Sequence, residues 1–176
     1  MRTYIALLRG LGGKYTLPMQ GLVEIMLELG LRDVRTYIQS GNAIFRSDRA
    51  SPGEIAEEIS SAINERYGFA PRVIILTPEE LREAVASNPY PEAESAPTTL
   101  HLTFLSSVPE HPDLVKLERL RQAGERFTLR GRTFYFHAPN GVGRSKLFAS
   151  IERTLGVPGT ARNWRTVCRL VDMVDQ

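Results

Sequence analysis

The first 77 residues alternate between strand-like and helix-like segments in an order that few folds accept. Apolar runs predict strands, apolar residues at helical spacing predict two helices, and Gly30 and Gly68 mark the ends of those helices. Ser51-Pro52-Gly53-Glu54 has the pattern of a capping box with proline at the first helical position. The predicted elements are strand 3–8, helix 18–29, strands 33–38 and 43–46, helix 52–67 and strand 72–76. This β-α-β-β-α-β order is typical of a ferredoxin-like sheet.

The second half of the chain predicts a similar order after a proline-rich connection. Thr77-Pro78-Glu79-Glu80 starts a helix that runs to about Ser87, and residues 88–97 contain too many prolines for regular structure. The elements that follow are strand 100–106, helix 112–123, strands 126–130 and 132–137, helix 144–155 and a closing helix 164–174 in place of a sixth element. We therefore predict an α+β protein of two small lobes. The first, 1–77, is ferredoxin-like, and the second, 78–176, is a βαββα variant with an extra C-terminal helix and a basic C-terminal half.

The ferredoxin-like order brings two polar segments to one edge of the first sheet. Strands one and two run parallel with strand three between them, so their carboxyl ends lie about 10 Å apart. The loop Arg9-Gly10-Leu11-Gly12-Gly13-Lys14 and the turn Gln39-Ser40-Gly41-Asn42 should therefore face each other. Arg35 shares a strand face with Gln39. A glycine-rich loop can present backbone N–H groups to an anion, but this one has neither the Walker nor the dinucleotide spacing, and glycines also serve in plain connectors.

Two helix starts carry cations, which is unusual because the positive end of the helix dipole disfavours them. Arg144 and Lys146 open one helix, and Arg162, Asn163 and Trp164 precede or begin the last one, with Asn163 a suitable N-cap. A bound anion would resolve the conflict, whereas long side chains that extend into water would leave nothing to explain. Trp164 could stack on a ring or simply bury apolar area.

Charge is distributed unevenly along the chain. The net charge is +2, but residues 126–171 contain nine Arg or Lys residues and one acid, Glu152, which leaves about +8 in that segment and about −6 in the rest. Such a segment can raise the local concentration of anionic partners. A merely solvated basic face would have the same composition.

Other features exclude several classes of protein. A single cysteine, Cys168, cannot form an internal disulfide, and His101, His111 and His137 lack the spacing of metal ligands, so we expect neither a metal nor a cofactor. No apolar run approaches the roughly 18 residues of a membrane span, and the N-terminus leads directly into a strand, so we expect a cytoplasmic protein without a membrane partner. No hydrolase elbow or catalytic triad is recognisable, and enzymatic activity is left open.

Several motifs together resemble the DUF1697 family, a family of proteins of unknown function. The motifs are Thr3-Tyr4-Ile5-Ala6-Leu7-Leu8-Arg9-Gly10, Leu17-Pro18-Met19, Val34-Arg35-Thr36-Tyr37-Ile38-Gln39-Ser40-Gly41-Asn42, Gly143-Arg144-Ser145-Lys146-Leu147 and Thr160-Ala161-Arg162-Asn163-Trp164-Arg165-Thr166-Val167. The resemblance implies a two-subdomain α+β fold, mostly bacterial members and no established activity. One departure is the first loop, where Leu11 alone separates Gly10 from Gly12, two residues fewer than the family pattern and without its asparagine.

These observations predict that the chain binds an anionic, phosphorylated or nucleotide-like small molecule between its lobes. The expected ligand-binding residues are Arg9, Lys14, Arg35, Gln39, Asn42, Arg144, Lys146, Arg162, Asn163 and Trp164. Two alternatives stay open. One is a nucleic-acid-binding protein that uses the basic 126–171 face, and the other is an enzyme of specialised small-molecule metabolism, which an apolar pocket behind the shortened loop would favour.

Overall fold

The protein consists of two compact α+β units, as the sequence predicts. The computed structural model describes all 176 residues, with eight strands and six α-helices. Unit 1 comprises residues 1–82 and 170–176, and unit 2 comprises residues 83–169. Each unit contains one four-stranded sheet in which all neighbouring strands are antiparallel.

Unit 1 has the ferredoxin-like order of elements. They are β1 (Arg2–Arg9), α1 (Met19–Glu28), β2 (Arg32–Tyr37), β3 (Asn42–Ser47), α2 (Pro52–Tyr67) and β4 (Arg72–Leu76), followed by α3 (Pro78–Ala86). The strand order is β2-β3-β1-β4, so the third strand lies between the first two and β4 lies at the edge beside β1. The predicted capping box at the start of α3 is present, because Thr77 and Glu80 exchange hydrogen bonds. At the start of α2, Ser51 Oγ caps the helix by accepting from the backbone N–H of Glu54.

The core of unit 1 lies between one face of its sheet and the apolar stripes of α1 and α2. Alternate residues of β1 point to this face, and the stripes of α1 and α2 supply four isoleucines together with leucine and methionine side chains. The fully buried members include Tyr4, Ala6, Leu8, Leu22, Met26, Ile55, Ile59 and Ile63. Burial of each large side chain contributes about 1.5–3 kcal/mol, and this core holds the end of β1 at a defined position.

Unit 2 repeats the same topology. Its elements are β5 (Leu100–Leu105), α4 (Leu114–Leu120), β6 (Arg126–Arg130), β7 (Thr133–His137), α5 (Lys146–Leu155) and β8 (Gly159–Asn163), followed by α6 (Trp164–Asp175), with a short 3-10 helix at Pro91–Ser95 before β5. The strand order is β6-β7-β5-β8. A core of phenylalanines on β7 and leucines on α4 and α5 covers one face of this sheet.

Strand β8 is the main difference from the sequence prediction, which placed no sixth element between α5 and the closing helix. Its sequence, Gly159-Thr160-Ala161-Arg162-Asn163, contains no valine, isoleucine or aromatic residue and therefore has little strand propensity. Pairing with β5 stabilises the strand despite its low propensity. In this pairing Leu102 lies opposite Arg162, and Phe104 lies opposite Thr160. A non-local partner overrides the local preference here.

The last seven residues of the chain belong to unit 1. Arg35 Nη2 donates a 2.7 Å hydrogen bond to the carbonyl of Met173, near the C-terminal end of α6. Arg82 forms an ion pair with Asp175 at 2.6 Å. Cations near a helix C-terminus interact favourably with its dipole, so both contacts stabilise the attachment of this segment to unit 1. None of the helices combines the length and apolar composition that a membrane span requires.

Candidate functional site

A cavity of about 610 Å³ lies at the edge of the unit 1 sheet where β1 ends and β4 begins. Its volume falls within the range of roughly 300–1,000 Å³ that is usual for small-molecule sites. The end of β1, the hairpin that follows it, α2 and the α2–β4 connection all contribute to the wall. The lining residues are Arg9, Gly10, Tyr15, Ser60, Gly68, Phe69, Ala70, Pro71 and Arg72.

Two arginines stand opposite each other at this cavity. Arg9 is the last residue of β1 and Arg72 the first of β4, and the two are direct partners in the antiparallel register. Side chains at such positions have Cβ atoms about 4.5–5.5 Å apart, and like charges placed there repel each other. Both residues are exposed, and no carboxylate is among the lining residues. The wall of the cavity therefore contains two arginines and no acidic residue.

The loop after β1 depends on glycine. Gly10, Gly12 and Gly13 have φ values of +85°, +121° and +59°, which side-chain-bearing residues rarely adopt. Gly12 and Tyr15 exchange two backbone hydrogen bonds of 2.9 and 3.0 Å, so residues 12–15 form a tight hairpin with Gly13 and Lys14 at its tip. The hairpin positions Tyr15 at the cavity.

The remaining wall is largely aromatic and aliphatic. The rings of Tyr15 and Phe69 are 5.1 Å apart between centroids, and Phe69 also packs against the unit 1 core. Lys14 Nζ lies 4.9 Å from the centroid of the Tyr15 ring, within the range of a cation–π contact. Ser60 Oγ donates 2.7 Å to the carbonyl of Pro71, which fastens the α2–β4 connection to α2. The cavity thus joins a charged end to an apolar wall.

The predicted proximity of the first loop and the β2–β3 turn is confirmed. The backbone N–H of Leu8 donates 2.8 Å to the carbonyl of Gly41. Gly41 has φ +80°, and a Cβ placed on it would lie 2.7 Å from Leu11 Cδ1 and 2.8 Å from Leu8 Cβ. The turn is therefore packed tightly against the loop.

Three predicted ligand-binding residues of this region make internal contacts. Gln39 Nε2 donates 2.6 Å to the carbonyl of Leu17, and the fully buried Asn42 donates to the carbonyl of Tyr37 and to Ser40 Oγ. Arg35 holds the end of α6, as described above. Of the five predicted residues in unit 1, Arg9 lines the cavity and Lys14 contacts one of its rings.

The predicted residues of unit 2 lie around the starts of α5 and α6. Arg144 and Lys146 are exposed on either side of Ser145, whose Oγ caps α5 by accepting from the N–H of Phe148. Asn163 Oδ1 accepts from the N–H of Thr166 at 3.0 Å, which confirms Asn163 as the N-cap of α6, and Trp164 is buried. These residues are not among those lining the unit 1 cavity.

Arg162 is the most unusual of the unit 2 residues because only 9% of it is exposed. Its Nη1 donates to Thr160 Oγ1 at 2.7 Å and to the carbonyl of Ala161 at 2.8 Å. Burial removes the guanidinium from water and lowers the pKa of Arg162 to about 10. The Arg162 side chain is therefore buried and contacts its own strand.

Two arginines of β6 and a tyrosine of β7 attach the segment that precedes β5. Arg126 forms an ion pair with Glu92 and lies over the Tyr90 ring at 4.5 Å. Arg130 donates to the carbonyl of Ser87. Tyr135 OH donates 2.6 Å to the carbonyl of Ala84, and burial raises the pKa of Tyr135 to about 12. Some of the positive charge of residues 126–171 therefore serves to stabilise the fold.

The residues predicted from sequence include Arg9 and Lys14 of this region but not Tyr15, Ser60, Phe69 and Arg72, which line the cavity with Arg9. The ferredoxin-like strand order could have indicated Arg72, because it places the start of the fourth strand beside the end of the first. Applied to residues 69–72, it brings Arg72 next to Arg9. No group of three or more His, Cys, Asp or Glu side chains is arranged to hold a metal ion.

Comparisons with known proteins agree with this architecture. A conserved bacterial protein, SP0830 from Streptococcus pneumoniae, has a similar structure with a TM-score of 0.72 and 22% sequence identity, and the match covers 100% of this chain and 99% of that one. No curated protein matches the sequence. The family model described as a protein of unknown function (DUF1697) matches residues 1–135, which include the β1 loop, the β2–β3 turn and the cavity. The chain therefore belongs to the DUF1697 family.

Proposed function

We propose that this protein binds an anionic, phosphorylated small molecule in the cavity of unit 1. The observation that carries the proposal is the Arg9–Arg72 pair, placed side by side on adjacent strands in a cavity wall that contains no carboxylate. An anion bound between the two guanidinium groups would accept several charge-assisted hydrogen bonds.

Arginine recognises a phosphate group more specifically than the ammonium group of lysine does. The planar guanidinium presents donors in a fork that matches two oxygens of one phosphate group. Gly10 brings backbone to the same wall without a side chain, and a Cβ on it would meet no atom within 4 Å, so the approach to this backbone is open. Glycine-rich backbone of this kind can add N–H donors to an anion site.

The proposal is that this site binds a ligand; it does not include a chemical reaction. The lining residues include no histidine, cysteine, aspartate or glutamate, and the Ser60 hydroxyl is already engaged with Pro71. Any reaction at this site would therefore rest on positioning and charge stabilisation. A cytoplasmic location is part of the proposal, because a single cysteine without a disulfide partner suits a reducing compartment.

The test is isothermal titration calorimetry with ribose 5-phosphate and inorganic pyrophosphate on the wild type, Arg72→Gln and Arg2→Gln. Arg2 begins the same strand that Arg9 ends, so Arg2→Gln makes the same change in net charge away from the cavity. Loss of charged hydrogen bonds worth about 1.5–3 kcal/mol predicts affinity about 10- to 100-fold lower in Arg72→Gln and unchanged in Arg2→Gln. Equal weakening in both variants would show that only net charge matters.

The nucleic-acid alternative makes a different prediction in the same titration. Binding through the basic 126–171 segment would appear with short DNA or RNA, fall steeply between about 50 and 200 mM salt, and be insensitive to Arg72→Gln. The double variant Arg144→Ala/Lys146→Ala would reduce it, because both side chains are exposed. That pattern without small-anion binding would replace the proposal.

A further inference from the structure

The cavity of unit 1 is much larger than a phosphate group needs. A volume of about 610 Å³ accommodates a small organic molecule, whereas the two arginines occupy only the end formed by the first residue of β4 and the last of β1. A ligand that fills this volume would therefore have an organic body as well as an anionic group, and the remaining wall indicates the chemistry of that body.

The remaining wall contains two aromatic rings in contact. Tyr15 and Phe69 have centroids 5.1 Å apart and an angle of 33° between their planes, and Ala70 and Pro71 continue the apolar surface toward Arg72. Large aromatic side chains present broad apolar faces to which flat rings bind well. A sugar without a base would require a wall of hydrogen-bonding side chains. The side chains at this end of the cavity are mainly apolar.

Tyr15 is held at the cavity although it is 41% exposed. The hairpin formed by Gly12 and Tyr15 fixes its backbone, Phe69 contacts its ring, and Lys14 lies 4.9 Å from its centroid. An aromatic side chain that is ordered before binding loses less conformational entropy when a ligand arrives, and this favours its use as a contact surface.

We propose that the ligand carries an aromatic ring, which packs against Tyr15 and Phe69 while its anionic group lies between Arg9 and Arg72. The ligand class is an aryl or heteroaryl phosphate, of which nucleoside monophosphates are one kind. This inference rests on the proposed function, since the arginine pair supplies the anchor for the charged end.

Two matched pairs of probes separate the ring from the charge. Phenyl phosphate and cyclohexyl phosphate have the same charge and similar size and differ in aromaticity, and a nucleoside 5′-monophosphate differs from ribose 5-phosphate by its base. Calorimetric titration of the wild type should give affinities about tenfold higher for the aromatic member of each pair, as expected for packing of one ring on aromatic side chains.

Variants of Tyr15 assign this preference to the wall. Tyr15→Ala should reduce the aromatic preference to about one, and Tyr15→Phe, which keeps the ring, should retain it. Phe69→Leu preserves apolar volume in the partly buried contact and should weaken the preference without unfolding the protein. Circular dichroism of each variant confirms that the fold is retained.

The results distinguish the inference from the function on which it rests. If all four phosphates bind equally well, weaken together in Arg72→Gln and are unaffected by Tyr15→Ala, the aromatic ligand is wrong and the anion site stands. If no phosphate binds in a manner that depends on Arg9 or Arg72, the anion site is wrong and the inference fails with it.

Discussion

Arginine side chains in this protein serve different purposes that their sequence context does not distinguish. Arg162 is buried, Arg126 pairs with Glu92, and Arg35 donates to a carbonyl at the end of α6. Arg9 and Arg72 are exposed and line one cavity. Exposure and position, more than the number of charges, therefore decide which arginines can meet a ligand.

His101 is a residue whose protonation should lower stability. Its Nδ1 is buried without a hydrogen-bond partner, its ring lies 5.5 Å from that of Phe148, and burial lowers its pKa below the ordinary value. The unfolded chain therefore binds a proton more readily than the folded one. The free energy of unfolding should be level above about pH 6.5 and should fall as the pH drops below it.

Urea unfolding at pH 7.5, 6.5 and 5.5 checks this prediction. The variant His101→Phe should show a smaller decrease between pH 6.5 and 5.5 than the wild type. Part of the decrease should persist, because burial and Arg126 also lower the pKa of His137. His111→Gln is the control for substitution of an exposed histidine. A decrease in His101→Phe identical to that of the wild type would show that His101 does not contribute.

At the scale of elements, the contact between the β1 loop and the β2–β3 turn should be sensitive to a single methyl group. Gly41 and Gly30 have nearly the same φ, +80° and +79°, but a Cβ on Gly41 would overlap Leu8 and Leu11 whereas one on Gly30 meets nothing within 4 Å. Gly30→Ala should cost about 1–2 kcal/mol from the left-handed backbone alone. Gly41→Ala should cost about 1–3 kcal/mol more because of overpacking.

Thermal or urea unfolding of the two variants provides the comparison. Because the backbone cost is shared, the difference between their unfolding free energies measures the packing of the turn against the loop. Equal destabilisation would mean that the loop moves aside freely, and the position of Arg9 and the following hairpin would then be less well defined than the structure indicates.

Elements with local signals were predictable, and elements that depend on partners were not. The helix caps at Ser51 and Thr77 and the glycine at position 68 act within one turn of chain, so they marked α2 and α3 closely. Strand β8 contains one strand-favouring residue, Thr160, and its formation depends on pairing with β5. Its absence from the sequence prediction reflects this non-local cause.

At the scale of the whole molecule, the two-unit α+β fold was predictable because the order of elements and the core stripes are repeated along the chain. The candidate site was predictable only in part. Arg9 and Lys14 stand out beside glycines, but Arg72 appears in sequence as an ordinary polar residue before a strand. Its relevance emerges from the register that sets it opposite Arg9, which is a property of the folded sheet.

The most direct test of the account is a two-dimensional ¹H–¹⁵N NMR titration of the full chain with phenyl phosphate. Binding in the unit 1 cavity predicts that the largest changes in amide shift occur at Gly10, Tyr15, Gly68, Phe69 and Ala70, and that they disappear in Arg72→Gln. Changes concentrated in residues 126–171, with the cavity amides unmoved, would contradict the proposed site.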